Sequence, residues 1–347
     1  MASIIQSAKN TIAENLGGPA HSLAKPEHQF SIEDVPDQSG KVAVITGGSE
    51  GIGYGCSHTL LSRNISKLFI LSLSEEVVQK ATDAVREEMG DEAAKKIVWL
   101  QCDLSDWKET MATAEKIKQE TDQIDILINN AARGIMTYQL SKYGVDLHMA
   151  LNHFGHAVLT SHLLPVLKKT ASTGSKVRIV NLSSNAHEMA PKDTKFASLD
   201  ELNQDLGPNP QYGRSKLADL LYARYLARHL SSSHPNILVN ATHPGFVETR
   251  QSTEFVHEAY PLAGYGMSVV MNPLKKDNIT GAVSTLFAAT VTEKSGEYIC
   301  PPAIPEPGSA LANDEELGEQ LMKLTRDIVS ERTEQDSTAK GCPFKDY

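Results

Sequence analysis

The chain is poor in cysteine, in long apolar runs and in positive charge. Its four cysteines (Cys56, Cys102, Cys300 and Cys342) are far apart and form no CxxC pair. That spacing argues against a zinc cluster or a disulfide framework, and makes a reducing compartment the default. No apolar run reaches the roughly 18 residues a membrane-spanning helix needs. The N-terminal stretch MASIIQSAKNTIAENLGG has no apolar segment long enough for a secretion signal, so a soluble, cytoplasmic protein is expected. Lys plus Arg number 33 against 43 Asp plus Glu, a net charge of −10. The missing basic excess argues against sequence-independent nucleic-acid binding, which relies on cationic contacts to phosphates. It leaves room for a small anion held by backbone donors. His153, His156, His187 and His243 lack metal-ligand spacing, so no metal is expected and they read as packing or turn residues. Glu75 and Glu76 read as part of a solvated face.

What is present is regular alternation. With 347 residues, of which 40% are hydrophobic, the chain is long enough for two domains or one large α/β unit. Short β-branched runs at 41–46, 67–72, 96–102, 124–129, 176–184, 236–245 and 297–300 read as buried strands. Helical patterns lie between them, at 51–63, 74–90, 106–121, about 142–169, 210–230 and near 278–290. Continuous hydrophobic strands between helices predict a single doubly wound parallel sheet of about seven strands with helices on both faces. One domain over 39–302 is therefore expected, with an N-terminal extension at 1–38 lacking sustained periodicity. A C-terminal extension at 303–347 carries a helix and a polar tail. The apolar helices around Asn152 and Lys216 predict a homodimer.

The first motif is Thr46-Gly47-Gly48-Ser49-Glu50-Gly51-Ile52-Gly53, between the first strand and the first helix of that series. Its spacing is G-xxx-G-x-G. Gly47 permits a tight turn, Gly51 allows close backbone approach to a pyrophosphate, and Gly53 lets the helix pack on the sheet. The helix N-terminus supplies amide donors to the anion. A structural turn would use glycines too, but the βαβ context favours a dinucleotide site. The second strand ends in Leu71-Ser72-Leu73-Ser74, with neither the acid that binds an NAD ribose nor an arginine for the NADP phosphate. Ser72 and Ser74 could donate to that phosphate and no carboxylate repels it, so NADP(H) is favoured over NAD(H). Asp103, followed by Leu104, is suited to the adenine edge or to a helix N-cap. Asn130, Ala131 and Ala132 end the fourth strand and leave room for a ribose, and asparagine amides there can tie strand ends together.

The second constellation is a Tyr and a Lys four residues apart, which share one helical face. A phenol with its ordinary pKa near 10 is a poor acid–base at neutral pH, and a nearby ammonium favours the phenolate. The spacing occurs twice, at Tyr138/Lys142 and at Tyr212/Lys216. Tyr212 is favoured because its helix follows the fifth strand, which ends in Ser183-Ser184 at the sheet edge where doubly wound folds bind ligands. Tyr138/Lys142 has no such hydroxyl and reads as the start of a buried helix. Adjacent strand residues face opposite ways, so only one serine serves: Ser184 as the last, with Ser183 the alternative. Asn152 is either a satisfied core amide or the holder of a water behind Lys216.

TGGSEGIG, NNAA, Asn152, Ser183-Ser184, YGRSK and HPGFVET together resemble the short-chain dehydrogenase/reductase family over about 41–300. VNLSSNAH, LNHFGH and HPGFVET resemble its retinol-dehydrogenase-like branch. The resemblance implies a Rossmann fold and a catalytic tetrad of Asn152, Ser184, Tyr212 and Lys216. It implies that Lys216 also holds the nicotinamide ribose, and that Pro244, Gly245, Val247 and Thr249 contact the nicotinamide end. Ser49, Glu50 and Ile52 join the glycines on the phosphate turn. The chain departs from that branch in lacking an N-terminal membrane anchor and an arginine after the second strand, and in its polar leader and tail. Ala132 also stands where glycine is usual.

The expected function is hydride exchange between NADP(H) and a carbonyl or secondary alcohol. The reading is weighed against a nucleotide-sugar epimerase of the extended fold, whose turn is usually G-xx-G-xx-G, and against a catalytically silent dinucleotide sensor. The loops 185–209 and 246–275, the latter with Phe246, Phe255, Tyr260, Tyr265 and Met267, predict a medium-sized hydrophobic substrate.

Overall fold

The computed structural model describes residues 2–16, 18–245 and 278–333. Phe246, Val247, Thr249, Phe255, Tyr260, Tyr265, Met267 and Cys342 lie outside the described residues. Eight strands form one sheet: β1 (Val42–Thr46), β2 (Lys67–Ser72), β3 (Ile97–Gln101), β4 (Ile126–Asn129), β5 (Val177–Leu182), β6 (Ile237–Thr242), β7 (Tyr298–Cys300) and β8 (Ile304–Glu306). Their order is β3-β2-β1-β4-β5-β6-β7-β8. Neighbours are parallel from β3 through β7, and β8 alone is antiparallel. The chain leaves β1 toward β2 and later returns to β4 on the other side, so the carboxyl ends of β1 and β4 flank the switch point where such sheets bind ligands.

The helices are α1 (Ala2–Leu16), α2 (Gly51–Ser62), α3 (Glu75–Met89), α4 (Asp91–Ala94), α5 (Trp107–Glu120), α6 (His156–Ser172), α7 (Leu199–Leu202), α8 (Pro208–Ser231), α9 (Asn278–Gly281), α10 (Val283–Thr290) and α11 (Glu315–Thr333). Strand alternation divides the apolar side chains between two cores. Val44, Leu127, Ile179 and Val239 meet Phe154, Leu163, Leu217, Tyr222 and Leu321 on one face. Ile45, Ile70, Ile128 and Val180 meet Leu60, Leu286 and Phe30 on the other. Each such side chain taken from water contributes roughly 1.5–3 kcal/mol.

Four expectations change. The sheet has eight strands, because it continues past residue 302: Ile304 pairs with Cys300 and Pro305 with Ile299. Proline lacks the N–H of an inner strand and is tolerated at an edge, which hid this strand in the sequence. The leader is partly helical, with Ala13 of α1 packed against Ala24 and Ile304 of β8. The helix expected from about 142 begins later, because Asp146 accepts the Met149 N–H at 3.0 Å and starts it. Residues Met149–Gly155 are then π-helical before α6 proper. Asp103 is not an N-cap; Asp106 is, accepting the Glu109 N–H at 3.3 Å.

Candidate active site

The phosphate turn is built by glycine contacts. Gly47 and Gly51 have φ of +63° and +57°. A Cβ on Gly53 would sit 2.1 Å from the Gly47 carbonyl oxygen and 2.5 Å from Asn130 Nδ2, so no larger residue fits there. The first turn of α2 is left open. Its N-cap, Glu50, makes no side-chain capping bond, and the first intrahelical bond is donated by Tyr54 to the Glu50 carbonyl at 3.1 Å. The N–H groups of Gly51, Ile52 and Gly53 therefore precede the helix ladder and are available to an anion. These residues fit the diphosphate of a dinucleotide.

The strand ends around that turn are knitted by side chains. Asn130 donates Nδ2 to the Thr46 carbonyl at 2.8 Å and to the Gly47 carbonyl at 3.2 Å. The Thr46 hydroxyl accepts the N–H of Asn130 at 2.8 Å and of Ala131 at 3.0 Å. With both lone pairs engaged, it gives its hydrogen to His156 Nε2 at 2.9 Å. His156 then carries its proton on Nδ1, which donates to the Asn152 carbonyl at 2.7 Å. Burial pushes His156 down to about 3, in keeping with this neutral tautomer. Asn129 ties β4 to β5, donating to Asn181 Oδ1 at 2.7 Å.

At the distal edge, Ser72 accepts from Trp99 Nε1 at 3.2 Å and Ser74 caps α3 by accepting the Val77 N–H at 3.4 Å. Each keeps its own hydroxyl hydrogen to donate. Asp103 is engaged locally, accepting from the Ser105 N–H at 2.8 Å and the Ser105 hydroxyl at 2.7 Å. Leu104 is buried, and Ala132, after the end of β4, is half-buried.

The reacting groups come from β5 and α8. Tyr212 is the fifth residue of α8, half-buried, with Lys216 one turn on. Lys216 Nζ lies 5.8 Å from the centre of the Tyr212 ring. It donates to the Leu182 carbonyl at 2.8 Å and to Asp219 Oδ2 at 2.9 Å, which engages two of its three N–H donors. Ser184 follows the end of β5 and opens the turn Asn185–Met189, accepting the Ala186 N–H at 3.1 Å and donating its hydroxyl hydrogen to the exposed Asn185 Oδ1 at 3.2 Å. Its neighbour Ser183 is buried and donates to the Lys216 carbonyl at 2.7 Å, which spends its hydroxyl hydrogen inside the fold. The closeness of this turn to α8 depends on Gly213, where a Cβ would meet the Ala186 carbonyl oxygen at 2.6 Å. Tyr138 and Lys142 share no helix: Tyr138 donates to the Asn203 carbonyl at 2.9 Å, and Lys142 pairs with Asp106.

Asn152 lies in the π-helical segment. Its Oδ1 accepts the Arg133 N–H at 2.7 Å, and Nδ2 donates to the Arg133 carbonyl at 3.1 Å and to the Ser215 hydroxyl at 2.8 Å. Both amide hydrogens are thus used, so a water could be held only by its oxygens. Pro244 and Gly245 close the described part of the site, and Gly245 has a φ of +78°.

The residues 41–196 match the family model for short chain dehydrogenase. The mitochondrial oxidoreductase bli-4 of Neurospora crassa is 54% identical over 343 residues, spanning 97% of this chain and 83% of that protein. This chain belongs to the short-chain dehydrogenase/reductase family. The short chain dehydrogenase/reductase dpchH of Colletotrichum higginsianum is 33% identical over 85% of this chain and 76% of its own. Among solved structures, the Pseudomonas aeruginosa RhlG/NADP active-site complex aligns with a TM-score of 0.56 and 24% identity, over 76% of this chain and 95% of that one, a likeness of fold. The family binds NAD(P) and acts on small molecules as an oxidoreductase. Among the described residues no helix is long and apolar enough to cross a membrane. The printed name of bli-4 overturns the expectation of a cytoplasmic protein. That expectation rested on the missing apolar secretion segment, and a mitochondrial leader, being amphipathic, needs none.

Sequence reasoning missed several partners: Thr46 and His156 as the hub between β1, β4 and the π-helical turn, Ser215 behind Asn152, and Asp219 against Lys216. Asp219 was visible as the acid three residues after the lysine of YGRSKLAD. The Thr46 hub had no local signal, since its members are separated by 84 and 110 positions.

Proposed function

We propose that this protein is an NADP(H)-preferring reductase of carbonyls, or dehydrogenase of secondary alcohols, acting on a medium-sized hydrophobic substrate. The observation that carries the reading is Lys216 held one turn behind Tyr212, with Ser184 brought against the same helix through Gly213. When bound, the nicotinamide supplies the hydride. Gly47, Ser49, Glu50, Gly51, Ile52 and Gly53 would hold the diphosphate, Asp103, Leu104, Asn130, Ala131 and Ala132 the adenosine side, and Pro244, Gly245, Val247 and Thr249 the nicotinamide end.

In the reducing direction Tyr212 gives its phenolic proton to the substrate oxygen. Ser184 exchanges its exposed bond to Asn185 for one donated to that oxygen, and offsets the charge that grows on it. The Lys216 ammonium favours the phenolate left behind, and its third N–H would hold the ribose of the cofactor. Asn152 holds a water through its oxygens and returns the proton from solvent. Ser72 and Ser74 support NADP(H), because each has a hydroxyl hydrogen for the 2′-phosphate and the end of β2 itself carries no carboxylate, although Glu75 and Glu76 begin α3 directly after Ser74.

Replacing Tyr212 by Phe is expected to lower kcat on the order of 10²- to 10⁴-fold with dinucleotide affinity kept. Unchanged turnover with a panel of ketones, quinones and aldehydes, assayed with both cofactors, would sink the reading. Likeness to bli-4 supports a mitochondrial location, which a fluorescent fusion tests. Light scattering tests the homodimer.

A further inference from the structure

Asp219 is not used by the chemistry above, yet it is buried in the middle of α8. Its side chain is 7% exposed and that of Lys216 4%, with Oδ2 2.9 Å from Nζ. An amide at this position would accept the same hydrogen bond with a smaller desolvation cost, so what the carboxylate adds is charge. The groups facing the ammonium are few. Tyr212 lies one turn earlier on α8. His156 on α6 is neutral, held near 3 by burial. β5 presents the Leu182 carbonyl, and Ser183 bonds the Lys216 backbone. Burial pushes Asp219 itself up to about 7, against the pull of Lys216, so its carboxylate is charged over the alkaline range that matters here. Desolvation lowers Lys216, but among the described residues Asp219 is the carboxylate that offsets it, and with Tyr212 it holds Lys216 above the ordinary lysine range.

We propose that Asp219 is a positioning residue whose carboxylate keeps Lys216 charged and aimed at the ribose, and so sets the alkaline end of the pH range in which the site works. The inference rests on the oxidoreductase reading and deepens it. Reduction requires Lys216 charged and Tyr212 protonated. Without the carboxylate, Lys216 gives up its proton at lower pH. Where it stays charged, its uncompensated field favours the Tyr212 phenolate. Both changes remove the competent form at lower pH, so the direction does not depend on which dominates.

The test compares wild type, Asp219→Asn and Asp219→Glu in NADPH binding, followed by fluorescence, and in carbonyl reduction, each from pH 6 to about 10.5. An opposite charge this close shifts a partner by about 1–3 pH units. The alkaline limb of both profiles is therefore expected to fall by about one unit or more in Asp219→Asn and to return toward wild type in Asp219→Glu. Coincident limbs in wild type and Asp219→Asn would overturn the proposal, and a uniform loss of rate with the limb unmoved would mark Asp219 as structural only. A wild-type protein that binds neither NADPH nor NADH at any pH refutes the oxidoreductase reading instead. In that case, or if Asp219→Asn does not fold, the ¹³Cε resonance of Lys216 in wild type decides, assigned by its loss in Lys216→Met. Proton loss above the ordinary lysine range supports the role of Asp219; proton loss at or below it overturns that role.

Discussion

The two halves of the site are built differently. The phosphate half is made of backbone: Gly47, Gly51 and Gly53 shape one eight-residue turn, and the first amides of α2 precede the helix ladder. The reacting half is made of side chains that arrive from β5, α8, the π-helical turn and the C-terminal extension. His187 shows how widely it is anchored. Its Nδ1 donates to the Ser184 carbonyl at 2.7 Å, while its Nε2 accepts the Ser309 N–H at 3.0 Å. A backbone site needs only the right glycines in a row. A side-chain site needs the whole fold to be in register.

Paired glycine substitutions break this comparison most sharply. In Gly53→Ala the new Cβ meets a backbone oxygen at 2.1 Å that cannot yield. Overpacking of this kind costs about 3 kcal/mol, or on the order of 100-fold in dinucleotide affinity if the strain falls on the turn. In Gly213→Ala the clash is 2.6 Å, against the turn that carries Ser184. This strain falls on the turn that carries Ser184 and not on the phosphate turn, so the expected effect is a fall in kcat on the order of 10- to 100-fold from misplacement, with a smaller loss of affinity than in Gly53→Ala. Titration calorimetry with NADPH, beside steady-state kinetics, separates the two. Equal losses of affinity in both variants would refute the division of the site.

The same division explains what the sequence disclosed. The strand–helix alternation and the G-xxx-G-x-G turn are local patterns, so a parallel sheet could be anticipated from β1 to β7. Tyr212 and Lys216 were legible because one helical turn joins them. β8 was hidden by Pro305, α1 by its polar composition, and the late start of the helix at Met149 by the apolar run that precedes α6. The Thr46–His156–Asn152 chain was illegible for a different reason. It joins three elements through single atoms, and no periodicity encodes that. The sequence separates Ser183 from Ser184 only in principle; in the fold the Ser183 hydroxyl is given to the buried Lys216 carbonyl and that of Ser184 to the exposed Asn185.

The buried histidines give the comparison a pH axis. Burial pushes His153 and His156 each down to about 3 from an ordinary 6.5. Between those values the unfolded chain binds more protons than the folded one, so stability is full above about pH 6.5 and falls as pH drops toward 3. Each histidine adds a slope of about 1.4 kcal/mol per pH unit inside that window. Urea unfolding at pH 7, 6 and 5 is expected to show a flatter slope in His153→Gln than in wild type. An unchanged slope would mean that His153 is already accessible to protons in the folded protein.

His153 also links the reacting half to the end of the chain. Thr325 gives its hydroxyl hydrogen to the Leu321 carbonyl at 2.8 Å, so at 2.8 Å from His153 Nε2 it acts as the acceptor. The imidazole is therefore locked in one tautomer by α11, beside Asn152 in the π-helical turn. Thr325→Val keeps the shape and removes the acceptor, leaving a buried N–H unpaired at a cost of about 1–3 kcal/mol. If α11 serves only to cover the core, the variant melts earlier and kcat is unmoved. If it holds the π-helical turn in place for Asn152, kcat falls about two- to threefold at constant dinucleotide affinity, since a small displacement there reaches the proton path but not the phosphate turn. The second outcome is expected, because His153 and Asn152 are adjacent residues of the same irregular turn and cannot shift independently.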